Sequence, residues 1–230
     1  LARQAGAVVV GESGVTEAAG LDEMFRAGCS AALVGTALTK TGRPGAALAR
    51  LLGRPVGTRV KICGVTRAED AYAASRLGAW AVGFVFVPGT PRALTVDAAR
   101  RAATGVAAGV FKVGVFADQP EAEVRRVAEE AGLDLIQLHG TETDLLVGVL
   151  GEGRVIKAVT LGGEGDLAPA AVRASRWLLV DRAKGVPGEP TVDWGLAGRL
   201  AAKRPRTLLA GGLTPQNVEV EYGAQVQFRA

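Results

Sequence analysis

The run RVKICGVTRAEDA, residues 59–71, joins a short buried strand to a tight turn and the start of a helix. Its apolar residues suit a strand covered on both faces, Gly64 allows the turn, and Thr66 and Glu69 have the spacing of a capping box. Cys63 is therefore expected at the carboxyl end of a strand, facing a helix N-terminus that favours the thiolate. A cysteine there is also often a small apolar residue of the core, so its reactivity needs support from the rest of the chain.

Composition bounds the class of protein. The 230 residues are 48% hydrophobic with a net charge of +4, enough for one large domain or one and a half small ones. Basic residues are spread over expected helix faces and never alternate with aromatics, which argues against nucleic acid binding and suits a phosphorylated substrate. No segment approaches the ~18 uninterrupted apolar residues of a membrane span, and no secretory signal pattern opens the chain.

The cysteines and the single histidine speak against a metal site. Cys29 and Cys63 lack metal-ligand spacing, so neither zinc nor a disulfide framework is expected, and a reducing cytoplasm is the expected compartment. A chain that begins with Leu1 and has Met24 as its only methionine is expected to be a piece of a longer polypeptide.

Short apolar runs alternate with amphipathic helical patterns, mostly about every 20–30 residues. This alternation predicts a parallel sheet with both faces covered, and its regularity predicts a (β/α)8 TIM barrel. The expected strands are 7–11, 31–35, 60–63, 81–87, 112–117, 135–139, 155–160, 177–181 and 207–210. The expected helices are 17–27, 67–77, 96–103, 121–131, 167–175 and 195–203.

The strand count exceeds one barrel. Nine strands are expected and the tail at 224–228 could be a tenth, whereas a barrel needs eight. A linker rich in glycine and proline at 53–57 predicts the boundary. Residues 1–53 then hold two extra βα units, and residues 58–230 hold the barrel.

The carboxyl ends of barrel strands share one face, where active sites lie. Asp181 directly follows the apolar run 177–180. Burying a carboxylate there costs free energy unless the group takes part in the chemistry or is paired with a cation. Partial burial would favour its protonated form and suit general acid catalysis, and the alternative is a pair with Arg182 or Lys184.

Three further strand ends carry candidate binding groups. Arg92, in a proline-stiffened loop, could clamp a carboxylate or could simply be solvated. Gly211 and Gly212, before Thr214 at an N-cap and Pro215, could cradle a phosphate or form a plain turn. His139 could act as a base, and it ranks below Cys63 and Asp181 because a lone histidine is as often structural.

Eight short motifs in order resemble the phosphoribosylanthranilate isomerase family, over about residues 58–218. They are 60–66 (VKICGVT), 83–86 (GFVF) with 91–92 (PR), 113–116 (VGVF), 137–140 (QLHG), 155–158 (VIKA), 179–181 (LVD), 192–194 (VDW) and 209–213 (LAGGL). The resemblance implies an Amadori rearrangement without metal or organic cofactor in tryptophan biosynthesis. It implies Asp181 as general acid and Cys63 as general base. It also implies Arg92 on the anthranilate carboxylate, and Gly211 and Gly212 in half of the phosphate site. His139 is expected as a further substrate-binding residue.

The first segment resembles a second enzyme of the same pathway. The motifs 9–15 (VVGESGV), 32–38 (ALVGTAL) and 42–48 (GRPGAAL) look like the last two βα units of indole-3-glycerol phosphate synthase. The resemblance matches Glu12, Ser13 and Gly35 to substrate and phosphate positions. The catalytic lysines of that enzyme lie on strands absent here, so synthase activity is not expected, and the chain is interpreted as a fragment of a fused synthase–isomerase.

The end of the chain departs from the isomerase pattern. After Val218 the resemblance stops, and the strand-eight run ending in Asp-Val-Ser-Ser-Gly is missing from 219–230. The loop after Asp181 is poorer in glycine than usual, and Val192 replaces an aromatic residue. These departures predict a barrel that lacks a normal eighth unit and has two open edges.

Three functions therefore stay open: an isomerase, an inactive fragment that needs a partner chain to complete its barrel, and another phosphate-binding barrel lyase or synthase. The pairing of Cys63, Asp181 and Arg92 disfavours the last. A monomer or weak homodimer acting on a small phosphorylated substrate, with no nucleic acid or membrane partner, is expected.

Overall fold

The structure, a computed structural model, describes residues 10–12, 15, 18–27, 29, 31–34, 59–182, 192–213 and 225–229. The chain divides into two compact units, Leu1–Gly57 and Thr58–Ala230. The linker predicted at 53–57 lies outside the described residues.

The first unit contains a strand–helix–strand arrangement. Strand β1 (Val10–Glu12) pairs in parallel with β2 (Ala31–Leu33), and helix α1 (Ala18–Arg26) connects them. Val15 and Leu21 are buried in a small core beneath this pair. Each strand has three described residues, and positions 7–9 and 35, which the sequence also assigned to these strands, lie outside the described residues. The rest of the second expected βα unit, beyond residue 34, lies outside the described residues.

The second unit alternates strands with helices. Its strands are β3 (Val60–Cys63), β4 (Ala81–Val85), β5 (Phe111–Phe116), β6 (Leu135–Leu138), β7 (Val155–Thr160), β8 (Trp177–Asp181), β9 (Thr207–Leu209) and β10 (Gln225–Arg229). Its helices are α2 (Ala68–Arg76), α3 (Val96–Ala103), α4 (Glu121–Glu130), α5 (Asp144–Leu150), α6 (Leu167–Ala171) and α7 (Trp194–Lys203), with 3₁₀ turns at Glu152–Arg154 and Glu164–Asp166.

The eight strands form a closed parallel barrel in the order β10-β3-β4-β5-β6-β7-β8-β9. The expectation of two open strand edges is wrong. The lack of a normal eighth unit stays a prediction. Val226 of β10 lies opposite Val60 on one side and Leu209 on the other. Closure requires only that β10 offer its backbone N–H and C=O groups to β3 and β9, and this satisfies both edges whatever side chains the tail carries.

Helix starts follow local capping chemistry, with one correction. Helix α3 begins after Thr95, whose Oγ1 accepts the N–H of Ala98 at 3.2 Å. The capping box expected at Thr66 and Glu69 is not formed. Helix α2 starts after Arg67, which makes no side-chain cap and whose guanidinium instead contacts both carboxylate oxygens of Asp70 at 2.9 Å.

Helix α5 was missed by the sequence analysis, which expected no helix between β6 and β7. Gly148 interrupts its pattern, and Leu145 and Val149 lie exposed, so its apolar residues do not mark a single buried face. Helix α6 is also shorter than expected, since it ends at Ala171.

Two apolar layers hold the barrel. The outer layer packs the helices on the strands, and the inner one fills the barrel with side chains such as Val113, Ile156 and Leu179. At the amino-terminal end the rings of Trp80 and Trp177 lie 4.8 Å apart, and guanidinium groups from Arg59 and Arg206 cover them. This end is therefore packed shut, as expected of the face that supports stability in barrels.

In the part of the chain that the structure describes, every helix is too short or too polar to cross a lipid bilayer.

Gly105 offers a test of the helix packing on this barrel. A Cβ there would lie 1.9 Å from the carbonyl oxygen of Ala68 and 3.0 Å from the amide nitrogen of Tyr72. Because both are backbone atoms of α2, Gly105→Ala is expected to lower the free energy of unfolding by about 3 kcal/mol, measured by urea denaturation.

The matched control is Gly148→Ala within α5. A Cβ at Gly148 meets nothing within 4 Å, so this change is expected to raise stability by up to about 1 kcal/mol through helix propensity. Equal stabilities of the two variants would contradict the close approach at Gly105.

Candidate functional site

The carboxyl ends of the strands bring four of the predicted site residues to one barrel mouth. Cys63 ends β3, Asp181 ends β8, His139 directly follows β6, and Arg92 lies in the loop after β4. A cavity of about 260 Å³ is lined by Cys63, Arg92 and His139, and a neighbouring one of about 600 Å³ by His139 and Asp181. Ala117 and His139 line both cavities, which therefore adjoin at the imidazole.

Cys63 is buried beside a lysine that the sequence analysis left out of the site. A Cβ on Gly83 would lie 2.9 Å from the Cys63 sulfur and 2.9 Å from Lys61 Nζ, so both groups crowd the same point of β4. Burial lowers the pKa of Lys61, and the charge and hydrogen bond of the Cys63 sulfur partly oppose that effect. The sequence did contain a signal for this contact, because Lys61 and Cys63 are two residues apart on one strand and side chains so spaced lie on the same face of a sheet.

Arg92 lies directly over the turn that follows Cys63. A Cβ on Gly64 would come within 2.7 Å of Arg92 Cδ and 3.0 Å of Nη1, and Gly64 has a φ of +88°. The turn and the approach of the arginine therefore both require glycine. The remaining walls of the smaller cavity are largely apolar, formed by valines and Pro91. This cavity suits a flat apolar group that carries an anion for the guanidinium.

Asp181 belongs to a hydrogen-bonded chain. Its Oδ2 lies 3.0 Å from His139 Nε2, and His139 Nδ1 lies 2.8 Å from Gln137 Nε2. The Oδ1 atom of Asp181 accepts the backbone N–H of Arg182 at 2.8 Å. The alternative pairing with Arg182 therefore exists through the main chain, and Lys184 lies outside the described residues. His139, ranked low from sequence, stands between the acid candidate and the thiol's cavity.

The pair Gly211 and Gly212 forms a turn beside Asp181. Their φ angles are +85° and +72°, which favour glycine. A Cβ on Gly211 would lie 2.5 Å from Asp181 Oδ1 and 2.7 Å from the Arg182 nitrogen. Gly211 therefore also makes room for the carboxylate, a reason that sequence reasoning did not supply. Thr214 and Pro215 fall outside the described residues.

A buried ion pair supports the loop that carries His139. Lys157 Nζ donates to Glu142 Oε2 at 2.9 Å and to the Gly140 carbonyl at 2.7 Å. Glu142 also accepts the N–H groups of Asp118 and Gly140. Removing either partner would leave a buried charge uncompensated, so this network is costly to open. Sequence reasoning missed it because Lys157 and Glu142 lie fifteen positions apart on separate elements.

Asp118, two residues after the end of β5, holds this loop as well. Its Oδ1 accepts both the backbone N–H and the hydroxyl of Thr141, at 2.7 and 2.9 Å. These bonds lower the pKa of Asp118, which is therefore a carboxylate at neutral pH. A group held in this way positions the loop after β6.

The arrangement can move protons at two places on one substrate. A thiol lines one cavity and a carboxyl group lines the next, and the imidazole between them contacts the carboxyl group. The carboxyl group can protonate an oxygen of a substrate that spans both cavities, and the thiolate can take a proton from a carbon of the same substrate.

Comparison with known proteins agrees with this geometry. Residues 60–226 match the family model described as N-(5'phosphoribosyl)anthranilate (PRA) isomerase. The N-(5'-phosphoribosyl)anthranilate isomerase of Rubrobacter xylanophilus is 42% identical over 166 residues, covering 70% of this chain and 80% of that protein.

Solved structures give the same result. Phosphoribosyl anthranilate isomerase from Thermotoga maritima superposes with a TM-score of 0.68 at 36% identity, covering 75% of this chain and 87% of that one. A further structure of such an isomerase, in complex with reduced 1-(o-carboxyphenylamino)-1-deoxyribulose 5-phosphate, gives 0.65 at 34% identity with the same coverage. The chain therefore belongs to the phosphoribosylanthranilate isomerase family.

Proposed function

We propose that this chain catalyses the Amadori rearrangement of N-(5-phosphoribosyl)anthranilate to 1-(2-carboxyphenylamino)-1-deoxyribulose 5-phosphate, a step of tryptophan biosynthesis. The observation that carries the proposal is the placement of Cys63 and Asp181 at the ends of β3 and β8, in adjoining cavities of one barrel mouth. The reaction needs an acid and a base at two positions of one sugar, and this mouth offers both.

Asp181 is the proposed general acid. Protonating the furanose ring oxygen lets the bond from that oxygen to C1′ break, while the anilino nitrogen donates its electron pair to form a Schiff base. Asp181 is buried, and its Oδ1 accepts the N–H of Arg182. The Oδ2 atom, which contacts His139, is then the atom that carries the proton.

Cys63 is the proposed general base. Its thiolate removes the proton from C2′, and those electrons flow into the Schiff base to form an enolamine. The enolamine then takes a proton at C1′ and loses the hydroxyl proton at C2′, so the reaction is an isomerisation with no net change in protons. Lys61, buried beside the sulfur, is placed to stabilise the thiolate.

Arg92 and the smaller cavity are proposed to bind the anthranilate part. Valine and proline walls suit the ring, and the guanidinium over Gly64 suits its carboxylate. His139 contacts substrate where the two cavities meet. Gly211 and Gly212 are proposed to offer backbone N–H groups to the phosphate, because both glycines have the positive φ that lets a backbone approach an anion.

The barrel's closure favours the isomerase over the inactive fragment. That alternative was based on a missing eighth strand, whose position β10 fills within this chain. The strand-eight phosphate motif is still unmatched in the sequence, so turnover itself decides between the two functions. A small phosphorylated substrate is proposed as the ligand. A monomer or weak homodimer, the cytoplasmic location, and the lack of a cofactor and of nucleic acid or membrane partners stay predictions.

Residues 1–53 are proposed to be the end of an indole-3-glycerol phosphate synthase-like barrel, joined ahead of the isomerase. Among the described residues of the first unit, β1 and β2 form a parallel pair joined by α1, which is the kind of fragment that a longer parallel sheet contains. The motifs that carry this resemblance hold no catalytic lysine, and synthase activity is not expected.

Asp181→Asn tests the general acid. Asparagine keeps an oxygen for the Arg182 N–H but cannot deliver the proton, so turnover is expected to fall by a factor of about 10²–10⁴ with the fold intact. The assay is the decay of phosphoribosylanthranilate fluorescence, with substrate made in situ. Asp166→Asn, in the same cavity and bonded to the N–H of Gly162, is the control and should stay active. Full activity of Asp181→Asn would remove Asp181 from the mechanism.

Gly211→Ala tests the space that Asp181 occupies. The new Cβ would press on Asp181 Oδ1 at a backbone φ of +85°, so a loss of turnover of at least tenfold is expected in the same assay. Gly151→Ala is the control, because Gly151 has a φ of +94° and a Cβ there meets nothing within 4 Å. If both variants lose turnover equally, backbone strain and not contact with Asp181 is the cause.

Deletion of residues 1–53 tests the independence of the barrel. Every isomerase motif lies beyond residue 57, and the second compact unit begins at Thr58. Turnover and the far-ultraviolet circular dichroism of the remaining barrel are therefore expected to persist. A deletion variant that stays folded but loses turnover would refute this assignment.

A further inference from the structure

Gln137 is a fully buried amide that the proposed reaction does not yet use. Its Nε2 lies 2.8 Å from His139 Nδ1, whereas its Oε1 has no hydrogen-bond partner among the described residues. The side chain lines the smaller cavity, together with Cys63 and Arg92. A buried polar atom without a partner is costly, so an amide in this position is expected to have a role that offsets the cost.

The hydrogen bonds link the amide orientation to the protons on His139 and Asp181. When the amide turns its NH₂ toward Nδ1, that nitrogen must accept, so the single imidazole proton lies on Nε2 and points at an ionised Asp181. This is the proton-poor state of the pair, in which Asp181 has no proton to give.

Half a turn of the amide gives the opposite state. Oε1 then faces Nδ1, which must carry a proton to donate. One additional proton is then shared between His139 Nε2 and Asp181 Oδ2, which lie 3.0 Å apart. This proton-loaded state holds one more proton than the first, and only it can supply the proton that opens the sugar ring.

We propose that Gln137 is a positioning residue whose amide rotation stabilises the proton-loaded state of the His139–Asp181 pair. The inference rests on the proposed function, since it explains how Asp181 is kept ready as the acid. In each turnover the pair would lose one proton to the ring oxygen, and the amide would turn its NH₂ toward Nδ1 until a proton is regained from water or from the substrate.

Among the described residues, two charged groups near the pair are held by partners of their own. Lys157 is neutralised by Glu142, and Asp118 is held by Thr141. The other ionisable groups that line the two cavities are Cys63, Arg92, Asp166, Arg173 and Arg182. Gln137 is the neutral group in direct contact with Nδ1, so changing it leaves these charges in place.

The single histidine of the chain makes the test direct. The ¹⁵N signals of an imidazole report which nitrogen carries the proton, and here they can come only from His139. They would be recorded against pH, without substrate, for the wild type, Gln137→Leu and Gln137→Glu. Gln119→Leu is the control, since that glutamine donates to the Phe86 carbonyl and lies outside the pair's hydrogen bonds.

Gln137→Leu is expected to move the pH at which the pair is half-loaded downward by about one unit or more, because a protonated Nδ1 would lose its acceptor. Gln137→Glu is expected to move it upward, because a carboxylate there favours the loaded state. The high-pH limb of kcat/KM, where the acid has lost its proton, is expected to move in the same directions. Gln119→Leu should shift neither.

Unchanged imidazole titrations in both Gln137 variants would overturn the inference. So would equal shifts for Gln119→Leu, which would indicate a general loosening of the barrel mouth. The proposed function is tested separately by wild-type turnover and by Asp181→Asn, because the imidazole signals need no substrate. A wild type that fails to turn over while its histidine titrates as expected would count against the reaction and not against the coupling.

Discussion

The closure of the parallel ladder by β10 is the constraint on which the site depends. Cys63 and Asp181 belong to β3 and β8, and the shorter way round the barrel between them passes through β9 and β10. Backbone pairing of β10 with β3 and β9 therefore fixes the distance and register between the proposed base and acid. Because the strands are all parallel, the same pairing brings both residues to one end of the barrel. The other end is the one closed by the stacked rings of Trp80 and Trp177.

Within this barrel, three glycines leave the space that the functional groups at the mouth occupy. Gly64 leaves space for Arg92, Gly83 for the Cys63 sulfur and Lys61, and Gly211 for Asp181. At each of these glycines a Cβ would come within 3.0 Å of the functional group it serves. Packed interiors tolerate such overlaps poorly, so the charged and nucleophilic groups can converge only where the neighbouring strand or turn carries no side chain.

Much of the fold was predictable because buried parallel strands are continuous apolar runs. The strands at 60–63, 155–160 and 177–181 and the helix at 96–103 have the predicted bounds. Other features depend on contacts distant in sequence. The tail, given from the sequence only as a possible strand, forms β10 through pairing with β3 and β9. The missed ion pair joins Lys157 on β7 to Glu142 in the loop after β6. The role of Gly211 was hidden because it depends on Asp181, which lies at the end of the neighbouring strand β8. The role of Gln137 depends on the bond between His139 and Asp181, which lie 42 positions apart. The capping box failed for a local reason, because the helix starts one residue after the predicted position, at Ala68.

Closure and catalysis place different demands on the tail of the chain. A strand in the eighth position needs only regular backbone donors and acceptors, and that is why residues unlike the family's strand-eight motif can still complete the barrel. A phosphate site needs particular N–H groups directed at one point, so it is far more sensitive to sequence than the ladder is. Of the proton-transfer groups, Asp181 ends β8 and His139 follows β6, whereas Cys63 lies directly opposite Arg229 of β10. Backbone pairing alone is enough to hold Cys63 in register, so the divergent sequence of the tail is expected to weaken phosphate binding before it affects the proton transfers.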